Sequence, residues 1–197
     1  MNAYYKKVLE VIKDSLESIP EKIYEQIICE CTDTLSNGGK IIASGLGKNV
    51  PICEKFVGTL NSLGIDARFL HTNTAVHGDL GMVGKGDLVL VLSKGGNTSE
   101  TVMLGEYLKA RGTNTWLLSF YEDGKASKVI DKRLIMHLMN EGDAWDIVPN
   151  NSTTVYLILL QGIALEIGKR MGITLDDFKE NHPGGGIGAK LRGNETW

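Results

Sequence analysis

The stretch DLVLVL at residues 87–92 limits the possible folds most. After its aspartate it is apolar at every position, with no polar residue to mark a solvent side. A strand of that kind is buried on both faces, which is the habit of parallel sheets covered by helices. The rest of the chain has the pattern such a sheet requires. KIIASG (40–45), ARFL (67–70), NTWLLSF (114–120) and RLIMHL (133–138) are short, largely apolar runs. Segments with helical spacing separate them, and the spacing predicts helices over Val50–Leu63, Thr98–Ala110, Ser152–Met171 and Thr174–Glu180. Thr174 is the expected N-cap of the last, and ASKVI (126–130) reads as a short helix. Two more helices come first. Tyr5, Val8, Leu9, Ile12, Leu16 and Ile19 repeat at helical period, and a second helix after Pro20 ends at Asn37-Gly38-Gly39. Alternating strands and helices predict an α/β fold, a parallel sheet with helices on both faces.

Composition narrows the function classes. The 197 residues are 42% hydrophobic and 23% charged, with a formal net charge of −3. That profile suits one soluble domain spanning residues 1–197 and gives no electrostatic reason to expect nucleic acid. No apolar run reaches the roughly 18 residues of a spanning helix, so no membrane partner is expected. The N-terminal segment is amphipathic and carries acidic residues, unlike a secretory or transit signal, and a cytoplasmic location follows as the expectation. Cys29, Cys31 and Cys53 are odd in number and lack framework spacing, so they read as buried thiols rather than a disulfide scaffold or a zinc site.

In a parallel sheet, ligands bind beyond the carboxyl ends of the strands. Chemistry is therefore expected in the loops after residues 43, 70, 92, 119 and 138. The first holds Ser44, Gly45, Gly47, Lys48 and Asn49: glycines for close backbone approach, then a cation at a helix start. SKGGNTSE (93–100) follows the most apolar strand. Ser93, Asn97 and Thr98 offer polar side chains, Gly95 and Gly96 free backbone amides, and a helix N-terminus follows. An anion cradle and a helix-capping turn use the same groups, and both readings stand for this loop. Glu100 lies in the first turn beyond it. His77 sits in HTNTAVHGDLGM (71–82), with His71 six residues away and no third metal ligand in view. Glu141 follows the last strand, and Asn151-Ser152-Thr153-Thr154 open the long helix, a second N-terminus suited to an anion or a cap. NHPGGGIG (181–188) places His182 in a glycine-rich segment, read as a loop that packs over a site. The six Met and three Trp residues read as core or interface, with Trp116 and Met136 in strands, Trp145 a candidate to line the site and Trp197 terminal.

GxGK, HGDLGM, SxxGxTxE, a late Glu before PxxST, and HPxGxIG occur in this order over about residues 35–192. Together they resemble the sugar isomerase (SIS) domain family, and most of all its arabinose 5-phosphate isomerase branch. The resemblance implies a flavodoxin-like five-stranded parallel sheet in an α-β-α sandwich. It implies a homodimer or homotetramer whose sites are completed by neighbouring subunits. It implies interconversion of D-arabinose 5-phosphate and D-ribulose 5-phosphate without a cofactor or metal. It places the family's lysine on Lys48, its glutamates on Glu100 and Glu141, and its histidines on His77 and His182. Family members often carry paired CBS domains, so the chain resembles the stand-alone form. The sequence departs from the family pattern at Asn49, Gly95 and PNNST, where hydroxyl residues are usual, and Lys94 adds charge that the usual loop lacks. These changes bear on which sugar is used, and another C5 to C7 sugar phosphate or a non-catalytic sensor are the alternatives. In the implied mechanism Glu100 is the base, its pKa raised by partial burial. His182 opens the ring or moves protons between oxygens, Lys48 neutralises developing charge or holds the phosphate, and Glu141 orients Lys48 or shares the acid–base work. Ser93, Thr98, Ser152 and Thr153, with backbone amides, hold the phosphate.

Overall fold

The structure, a computed structural model, describes residues 2–191 and 193. Trp197, and the rest of the tail beyond residue 193, lie outside the described residues. The chain opens with helices α1 (Ala3–Glu17) and α2 (Glu21–Ser36). Strands and helices then alternate: β1 (Ile41–Gly45), α3 (Asn49–Ser62), β2 (Ala67–His71), β3 (Leu88–Leu92), α4 (Ser99–Ala110), β4 (Asn114–Ser119) and β5 (Lys132–Ile135). Three more helices follow, α5 (Asn151–Arg170), α6 (Leu175–Glu180) and α7 (Gly185–Leu191). The five strands form one all-parallel sheet in the flavodoxin-like order β2-β1-β3-β4-β5.

The sheet carries a core on each face. Leu88, Leu90 and Leu92 of β3 point to one side, where Ile41, Ala43, Trp116 and Leu118 meet the apolar faces of α2, α3 and α5. Val89 and Val91 point to the other, with Ile42 and Leu117, against Leu104 and Leu108 of α4. All five β3 side chains are buried, each worth about 1.5–3 kcal/mol on removal from water. Asp87 closes the lower edge, accepting from Lys40 Nζ at 2.6 Å, the Lys40 amide at 3.0 Å and the Gly84 amide at 2.6 Å.

Three local expectations need correction. Gly185–Leu191 form helix α7, so the glycine-rich segment expected as a loop is helical over its second half, while Lys125–Lys128 form the expected short helix, of 3-10 type. β5 ends at Ile135, so Met136 lies just beyond it and residues 136–150 form an irregular connection. Cys29 is exposed on α2, whereas Cys31 and Cys53 are buried, with burial pushing the Cys53 thiol up to about 12. The expected N-cap of α6 is present, with Thr174 and Asp177 bonding reciprocally as a capping box. Among the described residues no helix is long and apolar enough to cross a membrane.

The register sets the carboxyl ends in a row. Gly45 lies beside both His71 and Leu92, Leu92 beside Leu118, and Ser119 beside Ile135. Gly45 is fixed by close approach, since a Cβ there would sit 2.8 Å from the Asn49 Cβ and 3.1 Å from the Cys53 sulfur. Gly45→Ala is therefore expected to destabilise the fold by about 1–3 kcal/mol through overpacking, read from the midpoint of urea denaturation.

Candidate active site

The chain reverses direction in the sheet between β1 and β3, and the loops leaving those strands flank a cavity of about 90 Å³. Leu46, Lys48, Asn49, Lys94, Pro149 and Ser152 line it. Gly47, at φ +60°, turns the chain so that Lys48 becomes the N-cap of α3. Lys48 is exposed, and its ammonium makes no hydrogen bond or ion pair among the described residues. Asn49 donates through its side-chain amide to the Leu92 carbonyl at 3.2 Å, tying the start of α3 to the end of β3. Ser44 is fully buried and shares a 3.0 Å hydrogen bond with Thr72.

The 93–98 loop is held from below. The Lys94 carbonyl accepts from the Phe120 amide at 3.0 Å and the Ser119 hydroxyl at 2.9 Å. The Gly96 amide donates to Ser93 Oγ at 3.2 Å, and Gly96 adopts φ +62°. Gly124 packs under it so closely that a Cβ would fall 2.5 Å from the Gly95 carbonyl oxygen. The Asn97 side chain donates to Gly95 O and accepts from the Lys125 amide. Thr98 occupies the N-cap position of α4, yet its hydroxyl makes no capping bond. The amides of Gly95, Asn97 and Thr98 likewise have no partner among the described residues. Between the two readings of this octapeptide, its geometry leaves the helix N-terminus open rather than capped.

The N-terminus of α5 differs. There the carboxylate of Glu141 is itself the bound anion. Its Oε2 accepts from the amides of Asn150 at 3.0 Å and Ser152 at 2.9 Å, and its Oε1 from the Ser152 hydroxyl at 2.7 Å. Lys94 Nζ stands 2.6 Å from Oε1. Glu141 is fully buried. Burial works against its ionisation, but Lys94, the Ser152 hydroxyl and the two amides outweigh it and hold the carboxyl below the usual range. Ser152 thus turns both its donors to Glu141, and Thr153 donates its hydroxyl to the Pro149 and Asn150 carbonyls.

Glu100 lies in the first turn of α4 and accepts from the Ser99 hydroxyl at 2.8 Å. Its own amide and that hydroxyl hold its carboxyl below the usual range, so the expected upward shift by burial is corrected. His77 is exposed on a 3-10 turn after β2, at the same sheet edge. His182 is elsewhere. Asn181 reaches within 3.1 Å of the place where a Gly64 Cβ would stand, just past the C-terminus of α3, whereas Lys48 is at its N-terminus. Fourteen helical residues span about 21 Å, so the chain's own His182 sits at the opposite edge of the sheet. There its ring stacks on Phe178 at 3.9 Å, and Nδ1 is 2.7 Å from the Phe178 carbonyl. The chain therefore brings together Lys48, Asn49, Ser152 and Glu141, with Glu100 and His77 along the same edge, and leaves His182 apart. Trp145, 74% exposed, does not line the cavity.

The sequence marks Lys94 only as added charge in its loop, with no partner, and nothing in it singles out Gly124. Lys94 carried a signal, a cation inside the glycine-rich turn, whereas Gly124 carried none. Among the described residues no three His, Cys, Asp or Glu side chains cluster closely enough to hold a metal.

The SIS domain model matches residues 34–163. Arabinose 5-phosphate isomerase KdsD of Pseudomonas aeruginosa is 31% identical over 179 residues, covering 91% of this chain and 55% of that protein. The chain spans about half the length of the curated relatives it matches. An Escherichia coli CFT073 protein solved in complex with arabinose 5-phosphate is 27% identical with a TM-score of 0.84, covering 93% of this chain and all of that one. The sugar isomerase domain of a Sphaerobacter thermophilus transcription factor shares the fold at 20% identity, with a TM-score of 0.69 over 90% of this chain and 94% of that one.

The folded-state pKa of Glu141 is depressed, so the stability it contributes is complete above the ordinary carboxylate pKa of about 4.3 and lost as pH falls through the lower folded value. Thermal unfolding midpoints are expected to drop as pH falls below about 4.3, and Glu141→Gln to flatten that drop, as read by circular dichroism melts across pH.

Proposed function

Because the chain belongs to the SIS domain family, we propose that it interconverts an aldose phosphate and a ketose phosphate, D-arabinose 5-phosphate and D-ribulose 5-phosphate first among them. One observation carries the reading: an open helix N-terminus beside an ionised carboxylate, at the switch point of a parallel sheet. The amides of Gly95, Asn97 and Thr98 and the hydroxyls of Ser93 and Thr98 suit a phosphate. The match to a protein solved with arabinose 5-phosphate supports the five-carbon sugar.

Isomerisation moves one proton between neighbouring carbons. With the phosphate gripped at the α4 N-terminus, the other end of a short sugar lies at a fixed distance. Glu100 takes the proton from C2, and the electron pair forms a C1–C2 double bond as the aldehyde oxygen becomes an enediolate. Glu100 is ionised at neutral pH, and a sugar that displaces water from it raises its basicity. The Lys48 ammonium stabilises the enediolate oxygen. A proton then passes from the C2 hydroxyl to the C1 oxygen, Glu100 returns its proton to C1, and C2 becomes the ketone. His182 is the shuttle between the two oxygens. Because the chain's own His182 is at the far sheet edge, the histidine comes from a neighbouring copy in a homodimer or homotetramer.

Glu100→Gln is expected to lower turnover more than about a hundredfold while calorimetric binding of D-arabinose 5-phosphate persists. Near-normal turnover would remove Glu100 as the base. Binding by the wild-type chain with no ketose product in the NMR spectrum would make the protein a sensor. Co-expressing Glu100→Gln with His182→Ala is expected to restore activity that neither variant has alone, since mixed oligomers contain sites with both groups intact. No recovery would place all the catalytic groups in one subunit.

A further inference from the structure

We propose that Lys94 is a substrate-binding residue, and that Glu141 acts as the positioning residue that holds it rather than as an acid or base. This rests on the isomerase reading for its substrate. Four observations carry it. First, the Glu141 carboxylate is fully enclosed; its oxygens already accept three hydrogen bonds, from the Ser152 hydroxyl and the amides of Asn150 and Ser152, and pair with the Lys94 ammonium at 2.6 Å. A carboxylate accommodates about four, so none remains for a sugar hydroxyl or a carbon-bound proton. Second, the Lys94 side chain remains 32% exposed and lines the cavity at the switch point together with Lys48. An ammonium carries three donors; one is spent on Glu141, and the others are available to the cavity side. Third, Lys94 is fixed at both ends. Its carbonyl is pinned by Ser119 and Phe120, and its ammonium by Glu141. That removes the rotamer freedom a lysine otherwise loses on gripping a ligand. Fourth, the side-chain donors beside them are engaged. The Asn49 amide bonds the Leu92 carbonyl and the Ser152 hydroxyl bonds Glu141, which leaves Lys48 and Lys94 as the cationic lining residues of a space of about 90 Å³. Such a space holds about three waters, enough for one end of a ligand.

Two cations flanking a small cavity select an oxyanion. A sugar phosphate offers two, its phosphate and the enediolate oxygen formed during isomerisation, and the experiment separates them. D-arabinose 5-phosphate and inorganic phosphate are titrated calorimetrically into the full chain, and kcat and KM are measured, for wild type, Lys94→Met, Lys94→Arg, Glu141→Gln and the double variant Lys94→Met with Glu141→Gln. The double variant leaves no unpaired buried charge, so it reports on binding even where Lys94→Met alone fails to fold.

Loss of Lys94 is expected to weaken D-arabinose 5-phosphate binding, or lower kcat, about tenfold or more, the effect of one charge-assisted hydrogen bond. Lys94→Arg should recover part of this. Weakened binding of inorganic phosphate assigns Lys94 to the phosphate. A loss confined to kcat, with phosphate binding intact, assigns it to the enediolate oxygen. Glu141→Gln should raise KM more than it lowers kcat. Unchanged binding and turnover without Lys94 would overturn the inference. So would a fall of more than about a hundredfold in kcat at constant KM in Glu141→Gln, the mark of a proton-transfer group. If wild type binds D-arabinose 5-phosphate without converting it, the isomerase reading fails while the titration still decides on Lys94. If wild type binds neither ligand, both fall.

Discussion

The Glu141 carboxylate at the N-terminus of α5 is the contact on which the site depends. It satisfies two orphan amides of the helix and the Ser152 hydroxyl, and it holds the Lys94 ammonium at 2.6 Å. These bonds join the irregular stretch after β5 to the helix that covers one sheet face and to the loop that leaves β3. A buried carboxylate is costly unless every lone pair is used, and here burial and hydrogen bonding meet that condition together. Removing any one donor loosens three elements at once.

Two helix N-termini meet the same sheet edge and do different work. That of α5 is filled by a carboxylate of the protein itself. That of α4 keeps its amides and the Thr98 hydroxyl without protein partners among the described residues. The contrast separates an anion site filled by the protein itself from one left open, although both helices begin in Ser/Thr/Asn-rich sequence. The parallel sheet supplies the frame, because its register brings the ends of β1, β2 and β3 level at Gly45, His71 and Leu92.

Much of this was legible in the sequence. The unbroken apolar run of β3, the glycines after β1 and β3, and the capping box of α6 are local signals, and the corresponding elements stand within a few residues of where the spacing puts them. The site was only partly legible, because a polar side chain's partner is a tertiary choice. Ser152 and Thr153 have the composition of an anion site, yet their hydroxyls turn to Glu141 and to preceding carbonyls. Glu100 was expected to be raised by burial, but at a helix start its own amide and Ser99 stabilise the charge instead. His182 lies near the motif residues in no sense that sequence order could reveal, since a helix length separates it from Lys48. Gly124 is needed only because another loop crosses over it.

The proposed isomerase site requires the substrate's phosphate to sit at the open N-terminus of α4 and to leave the Glu141 clamp intact. A crystal structure of the Glu100→Gln variant grown with D-arabinose 5-phosphate would show where that phosphate lies. Its oxygens are expected within hydrogen-bond reach of the amides of Gly95, Asn97 and Thr98, with Glu141 still bonded to Asn150 and Ser152. Phosphate bound at the α5 N-terminus, with the Glu141 carboxylate displaced from it, would contradict this arrangement.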